Sequence, residues 1–212
     1  MSALPRTTRA ADLSPKSIHP RWLRLTHWVN ALAVLVMVTS GWRIYNASPL
    51  YDFSFPKSLT LGGWLGGALQ WHFAAMWMLA INGIVYLSIN VASGRLLKRF
   101  LPVSPKGVFN DLWTALRGRL GHGDPSHYNQ VQRVAYLFVM FDVAVMVASG
   151  LVLWKSVQFP ILRVLLGGYE GARQVHFVGM SLLMAFLVVH LVMVALVPKT
   201  LWGMIVGRKE SV

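Results

Sequence analysis

Four stretches of this chain are almost wholly apolar, and each is longer than a strand or an ordinary buried helix requires. They cover residues 22–45, 68–92, 131–154 and 174–197. About 20 apolar residues in a helix cross a hydrocarbon core, so each stretch predicts a membrane span with some tilt. Between the second and third, Val108, Phe109, Leu112, Trp113, Leu116 and Leu120 recur at helical spacing, with Lys106, Asp111, Arg117 and Arg119 on other faces. That pattern predicts a short amphipathic helix lying on the membrane surface. Residues 155–172 predict an outer loop with an interfacial turn. Residues 1–20, rich in Ser, Thr, Pro and Arg, predict a disordered tail, and 201–212 a short basic one. The expected fold is all-α: an integral membrane four-helix bundle over 21–200, plus the interfacial helix.

Composition agrees. The chain is 55% hydrophobic and 13% charged, too apolar for a soluble domain of this size. A net charge of +13 would point to nucleic acid in a soluble protein, but here its distribution decides the matter. With the N-terminus in the cytoplasm, the outside loops hold only Arg43, Lys57, Lys155, Arg163 and Arg173, and the rest of the 20 basic residues fall inside. The positive-inside rule therefore predicts both termini in the cytoplasm, with lipid rather than nucleic acid as the partner. The first 20 residues lack an apolar core with a cleavage site, so no removable signal is expected. The absence of cysteine excludes disulfides, iron–sulfur ligation by this chain, and haem attachment through C-x-x-C-H.

Histidine placement gives the candidate chemistry. His176 and His190 lie in the fourth stretch, 14 residues apart. That is close to four helical turns, which puts both on one face about 21 Å apart along the axis. Ionisable groups inside a membrane helix are rare and by default functional. His27 lies about as deep from the inner end of the first span as His190 does in the fourth, and His72 stands at the outer level of His176. Any one of them alone reads as an interfacial histidine beside belt tryptophans; the matched depths favour four ligands. Chain direction pairs His27 with His190 inside and His72 with His176 outside. Two b-type haems, each with two imidazole ligands, follow as the expectation. Six-coordinate iron leaves no open position for substrate, which favours electron transfer.

Other features fill in the bundle. HFAAM from His72 and HFVGM from His176 are offset by 104, which places Tyr86 opposite His190. TSGW after the first span resembles ASGL after the third, placing Arg24 and His27 opposite Arg133 and Tyr136. A duplicated helical hairpin accounts for both. Tyr128, Asn129 and Gln132 precede the third span; they either cap it or line a pocket for a quinone head beside the inner haem. Asp142, mid-span, should face the bundle interior, neutral or paired, with a hydrogen bond to a neighbouring helix favoured over proton transfer. The outer loop 46–67, SPLYDFSFP followed by LGGWLGG, suits either lipid contact or the floor for an extracytoplasmic partner.

Taken together, RLTHW, the histidine entering the second span, Tyr128-Asn129-Gln132-Arg133, and the His176/His190 pair resemble the di-haem cytochrome b subunits of formate dehydrogenases, thiosulfate reductases and nickel–iron hydrogenases, in the bacterial cytochrome b561-like group. SGWRIYN with LGGWLGGALQWHF is similar to the branch found with periplasmic molybdenum-cofactor (molybdopterin) oxidoreductases. The resemblance implies a bacterial inner-membrane protein with its catalytic partner outside, electrons exchanged at the outer haem, and quinone or quinol reacting near Asn129, Gln132 and His190. The chain lacks the extra span and cysteines of some relatives, which disfavours a hydrogenase partner. A stand-alone quinone-linked superoxide oxidase is the alternative within this reading, distinguished by the lack of a co-purifying partner. A histidine-dependent transporter, colourless when pure, and a passive anchor, indifferent to loss of all four histidines, are the alternatives outside it.

Overall fold

The computed structural model describes residues 20–94, 102–117 and 130–207. The tail segments 1–19 and 208–212, His122, and the quinone-pocket candidates Tyr128 and Asn129 lie outside the described residues. Among the described residues four helices are long and apolar enough to span a membrane: α1 (Arg21–Ala47), α2 (Leu65–Ala92), and, beyond the surface helix α3 (Pro105–Leu116), α4 (Gln130–Lys155) and, beyond a short helix α5 (Pro160–Leu165), α6 (Gly168–Leu196). Helix α7 (Pro198–Ile205) follows α6 directly. Four spans place the start of α1 and the end of α6 on one side, the inner end hereafter.

Local chemistry sets the boundaries. Pro20 precedes α1, and Pro198 opens α7 where α6 stops; a proline is tolerated at a first turn but breaks a helix interior. Between α1 and α2, Gly62 (φ 103°) and Gly63 (φ 69°) turn the chain through left-handed conformations. A Cβ on Gly62 would stand 2.4 Å from the Ala68 backbone nitrogen, so LGGWLGG is a tight knot at the head of α2. The α4 start is fixed from α3: the Asp111 carboxylate accepts the Gln130 backbone N–H at 2.7 Å, and the Gln130 side chain accepts the Ser104 N–H.

Packing runs within two hairpins, α1 on α2 and α4 on α6. Among the described residues, the fully buried positions are small or polar apart from Val152: Ala33, Ala68, Ala75, Ala172, Ser40 and Ser149. Large apolar side chains such as Leu35, Trp77, Ile84, Phe141 and Val189 lie exposed, towards lipid. This reverses the soluble pattern, because lipid tails solvate leucine as well as a core does and close helix contact needs small residues. Buried polar groups are tied internally: Asn82 Nδ2 donates to Thr26 O (2.8 Å) and Asn30 Oδ1 (2.6 Å).

Two stretches differ from expectation. The C-terminal segment forms α7 rather than a simple tail, with Arg24 Nη1 donating to Ile205 O (2.9 Å) and Trp28 Nε1 to Met204 O (3.3 Å). These donors satisfy the otherwise open carbonyls at a helix C-terminus. Asp142 is buried as expected, but its Oδ2 has no hydrogen-bond partner, and Oδ1 lies against Gly179 of α6, where a Cβ would meet it at 3.3 Å.

Candidate metal-binding site

The four histidines meet in two pairs. His72 of α2 faces His176 of α6, ring centres 6.5 Å apart and planes at 64°. His27 of α1 faces His190, further along α6, at 6.2 Å and 59°. A metal bonded at about 2 Å to each of two opposed imidazole nitrogens, each ring centre roughly 1.1 Å behind its nitrogen, sets ring centres about 6.2 Å apart. The inner pair stands at that separation and the outer pair slightly beyond it. Among the described residues no cluster of three or more His, Cys, Asp or Glu is placed to hold a metal ion. Two protein ligands per site suit a metal whose remaining positions are filled by a porphyrin.

The outer pair carries a matched set of supports. His72 Nδ1 lies 3.1 Å from the Met37 carbonyl and 3.1 Å from Ser40 Oγ. His176 Nδ1 lies 3.2 Å from the Met146 carbonyl and 3.0 Å from Ser149 Oγ. A carbonyl only accepts, so the ring proton sits on Nδ1 and the Nε2 lone pair is left for a metal. Each serine donates its own proton one turn back, Ser40 to Val36 O (2.6 Å) and Ser149 to Val145 O (2.8 Å), and so accepts from the ring. Each imidazole lies on a glycine of the neighbouring helix: a Cβ at Gly150 would crowd His176 Cε1 at 3.3 Å, whereas one at Gly41 would meet His72 Cε1 at an ordinary 3.5 Å. The TSGW and ASGL resemblance therefore corresponds to one structural device used twice.

Around the inner pair, Trp28 meets His27 edge-on at 5.5 Å and Phe186 stacks with His190 at 6.1 Å. Trp22 packs near Tyr86, the residue at the repeat position of His190. Gln132 is exposed in the first turn of α4.

At the outer end, Phe177, next to His176, belongs to an aromatic cluster with Tyr45 (5.2 Å), Tyr51 (5.3 Å) and Phe53 (6.2 Å). Asn46 fixes the loop through both backbone groups of Phe55, donating to its carbonyl and accepting from its N–H, each at 2.8 Å. Arg173 bonds Glu170 and the Ser48 carbonyl, tying α6 to the end of α1. Ser40, Ser149 and Asn46 were not expected as supporting residues. The two serines were visible in the repeat, whereas nothing in the sequence marked Asn46 for its role.

An antiparallel four-span bundle with facing imidazoles at two levels defines a class: membrane proteins that can clasp planar metal cofactors between helices. Within that class the chain belongs to the prokaryotic cytochrome b561 family, whose model matches residues 18–207. It is thus a multi-pass inner-membrane haem protein, b-type cytochromes being those that carry haem b. A protein of Azospira oryzae named "Putative protein-methionine-sulfoxide reductase subunit YedZ1" is 64% identical over 192 residues, 91% of this chain and 97% of that protein. Proteins named "Probable Ni/Fe-hydrogenase B-type cytochrome subunit" from Cupriavidus necator and Azotobacter vinelandii are 28% and 29% identical. Those two alignments cover 87% and 79% of this chain, and 82% and 75% of the respective relatives.

Proposed function

We propose that the chain carries electrons across the inner membrane through two b-type haems, the outer held by His72 and His176 and the inner by His27 and His190. The observation that carries this reading is the pair of facing imidazoles, 6.5 Å and 6.2 Å apart, at two levels of α6. Bound haem supplies one-electron exchange at each level; the protein's part is to fix both imidazoles on each iron and leave no position for substrate. Ring protons directed to the Met37 and Met146 carbonyls hold the outer imidazoles in the ligating tautomer.

The inner end, cytoplasmic by its basic residues, is the proposed site of quinol oxidation, with Tyr128, Asn129, Gln132 and His190 as the candidate quinone-binding residues. The outer end delivers electrons to an extracytoplasmic oxidoreductase, taken as a molybdenum-cofactor enzyme from the SGWRIYN and LGGWLGGALQWHF resemblance. The name of the Azospira relative supports a reductase that repairs oxidised methionine. Reducing a sulfoxide to a thioether consumes two electrons and two protons and releases water; a quinol supplies two electrons, so flow runs outward.

The test is purification from native membranes in mild detergent, followed by addition of a quinol and then of methionine sulfoxide. The expected result is haem reduction by quinol, and reoxidation by sulfoxide only in preparations that retain a co-purified oxidoreductase. Haem that quinol does not reduce, or a haem protein with no partner that passes electrons to or from superoxide, would overturn it.

A further inference from the structure

Asp142 stands mid-span in α4, 4% exposed, and its Oδ2 has no hydrogen-bond partner. The repeat shows what packing alone asks of this place. Asp142 and Gly179 correspond, by the two offsets, to Ala33 of α1 and Ala75 of α2, both buried. Two methyl groups fill the contact in the first hairpin. In the second, the α6 residue has lost its Cβ and the α4 residue carries a carboxyl group. A Cβ on Gly179 would stand 3.3 Å from Asp142 Oδ1 and 2.8 Å from Met146 Cγ, so the glycine keeps open the space that the acid occupies.

An ionisable side chain at this depth needs a reason beyond packing. The neighbouring helices offer it no counter-charge. Glu170 and Arg173 of α6 pair with each other at the outer end. Arg133 and Lys155 of α4, Lys106 and Asp111 of α3, and Arg163 of α5 lie towards the ends of the span. Closer to Asp142 the titratable groups of α4 and α6 are Tyr136, His176 and His190, with His72 of α2 facing His176. Gly179 is three residues from His176 and eleven from His190, about 4.5 Å and about 16.5 Å along α6, so the acid belongs to the outer level. Met146, one turn from Asp142, lends its carbonyl to His176 Nδ1. A haem with a dianionic porphyrin and neutral imidazoles carries one positive charge when oxidised and none when reduced. At this level the counter-charge would therefore come and go with the electron.

We infer that Asp142 takes up one proton as an electron reaches the outer haem and releases it as the electron leaves. This rests on the proposed His72/His176 ligation. The electron, drawn from quinol, cancels the charge that faced the carboxylate. A buried carboxylate without a counter-charge is far costlier than the neutral acid, so a proton from water adds to a carboxylate oxygen. When the electron passes on, that O–H bond breaks and the proton returns to water. Seven and fourteen residues on, the same side of α4 carries Ser149, fully buried, and, just past the helix end, Ser156, whose Oγ is buried with no partner. The next turn inward, Ala135, Phe138 and Val139, is apolar. The proton accordingly exchanges with the outer side, where the proposed sulfoxide reduction consumes protons.

Redox titration of the purified protein at a series of pH values, followed in the visible haem bands, tests the inference, the outer haem being the one lost in His176→Ala. Its reduction equilibrium should change by up to tenfold per pH unit, about 59 mV for one electron, the potential falling as pH rises. Asp142→Asn, alike in shape but unable to take up the proton, should keep the outer haem and abolish the slope, leaving the inner haem as in wild type. An acid with a merely structural role would leave the slope intact in that variant. Reduced-minus-oxidised infrared spectra of the wild type give a second reading: the C=O stretch of a protonated carboxylic acid should appear on reduction. It should be missing in Asp142→Asn and in Asp142→Ala, which restores the side chain found at Ala33. An outer potential independent of pH, a slope that survives in Asp142→Asn, or no gain of the carboxylic C=O band would overturn the inference. A wild-type protein with a single haem would instead refute the ligand set on which it depends.

Discussion

At Gly150 a Cβ would stand 3.3 Å from His176 Cε1, so the imidazole is held as much by absent atoms as by present ones. Gly150→Val should push the His176 ring off its position and remove the outer haem while sparing the inner, read as haem per protein falling from two to one. Ser149→Ala is gentler: the Met146 carbonyl still accepts the ring proton, so haem is retained and the outer potential shifts slightly. At this scale the sequence was informative where chemistry is rare. Histidines in apolar helices, at matched depths, identified their own partners. The supporting carbonyls of Met37 and Met146 were not legible, because backbone groups carry no sequence signal. The unpartnered Asp142 Oδ2 was not foreseen either: its repeat counterpart is the buried Ala33, whose side chain has no polar group to pair.

Among the elements, spans were legible because the bilayer imposes a length, and small elements were not, because short helices owe their existence to what they dock against. Helix α7 shows this. Its eight residues are held by the Arg24 and Trp28 donors, and no local propensity announces the docking. Gly207→Val would place a branched side chain at φ 80° and against the Arg24 guanidinium. It should free α7 from α1, seen as faster proteolysis of the C-terminus with both haems kept. In the outer loop, Asn46→Ala removes two hydrogen bonds to Phe55 and leaves backbone groups unpaired, costing about 1–3 kcal/mol of local stability. The expected readout is a lower thermal midpoint for bleaching of the outer haem band, with the inner band unchanged.

For the whole molecule, the duplicated hairpin explains why one site is symmetric and the other is not. His72 and His176 are repeat partners, with identical serine, glycine and carbonyl supports, whereas His27 and His190 face each other from non-equivalent helices while Tyr136 and Tyr86 hold their counterpart positions. That asymmetry predicts two haems of different potential. The most direct measurement is the haem-to-protein ratio of the purified chain, by reduced-minus-oxidised spectrum, in wild type and in His27→Ala, His72→Ala, His176→Ala and His190→Ala. Two haems in wild type and one in each variant, the inner lost with His27 or His190 and the outer with His72 or His176, is the predicted result. A single haem in wild type, or variants that all keep the wild-type ratio, would contradict the account.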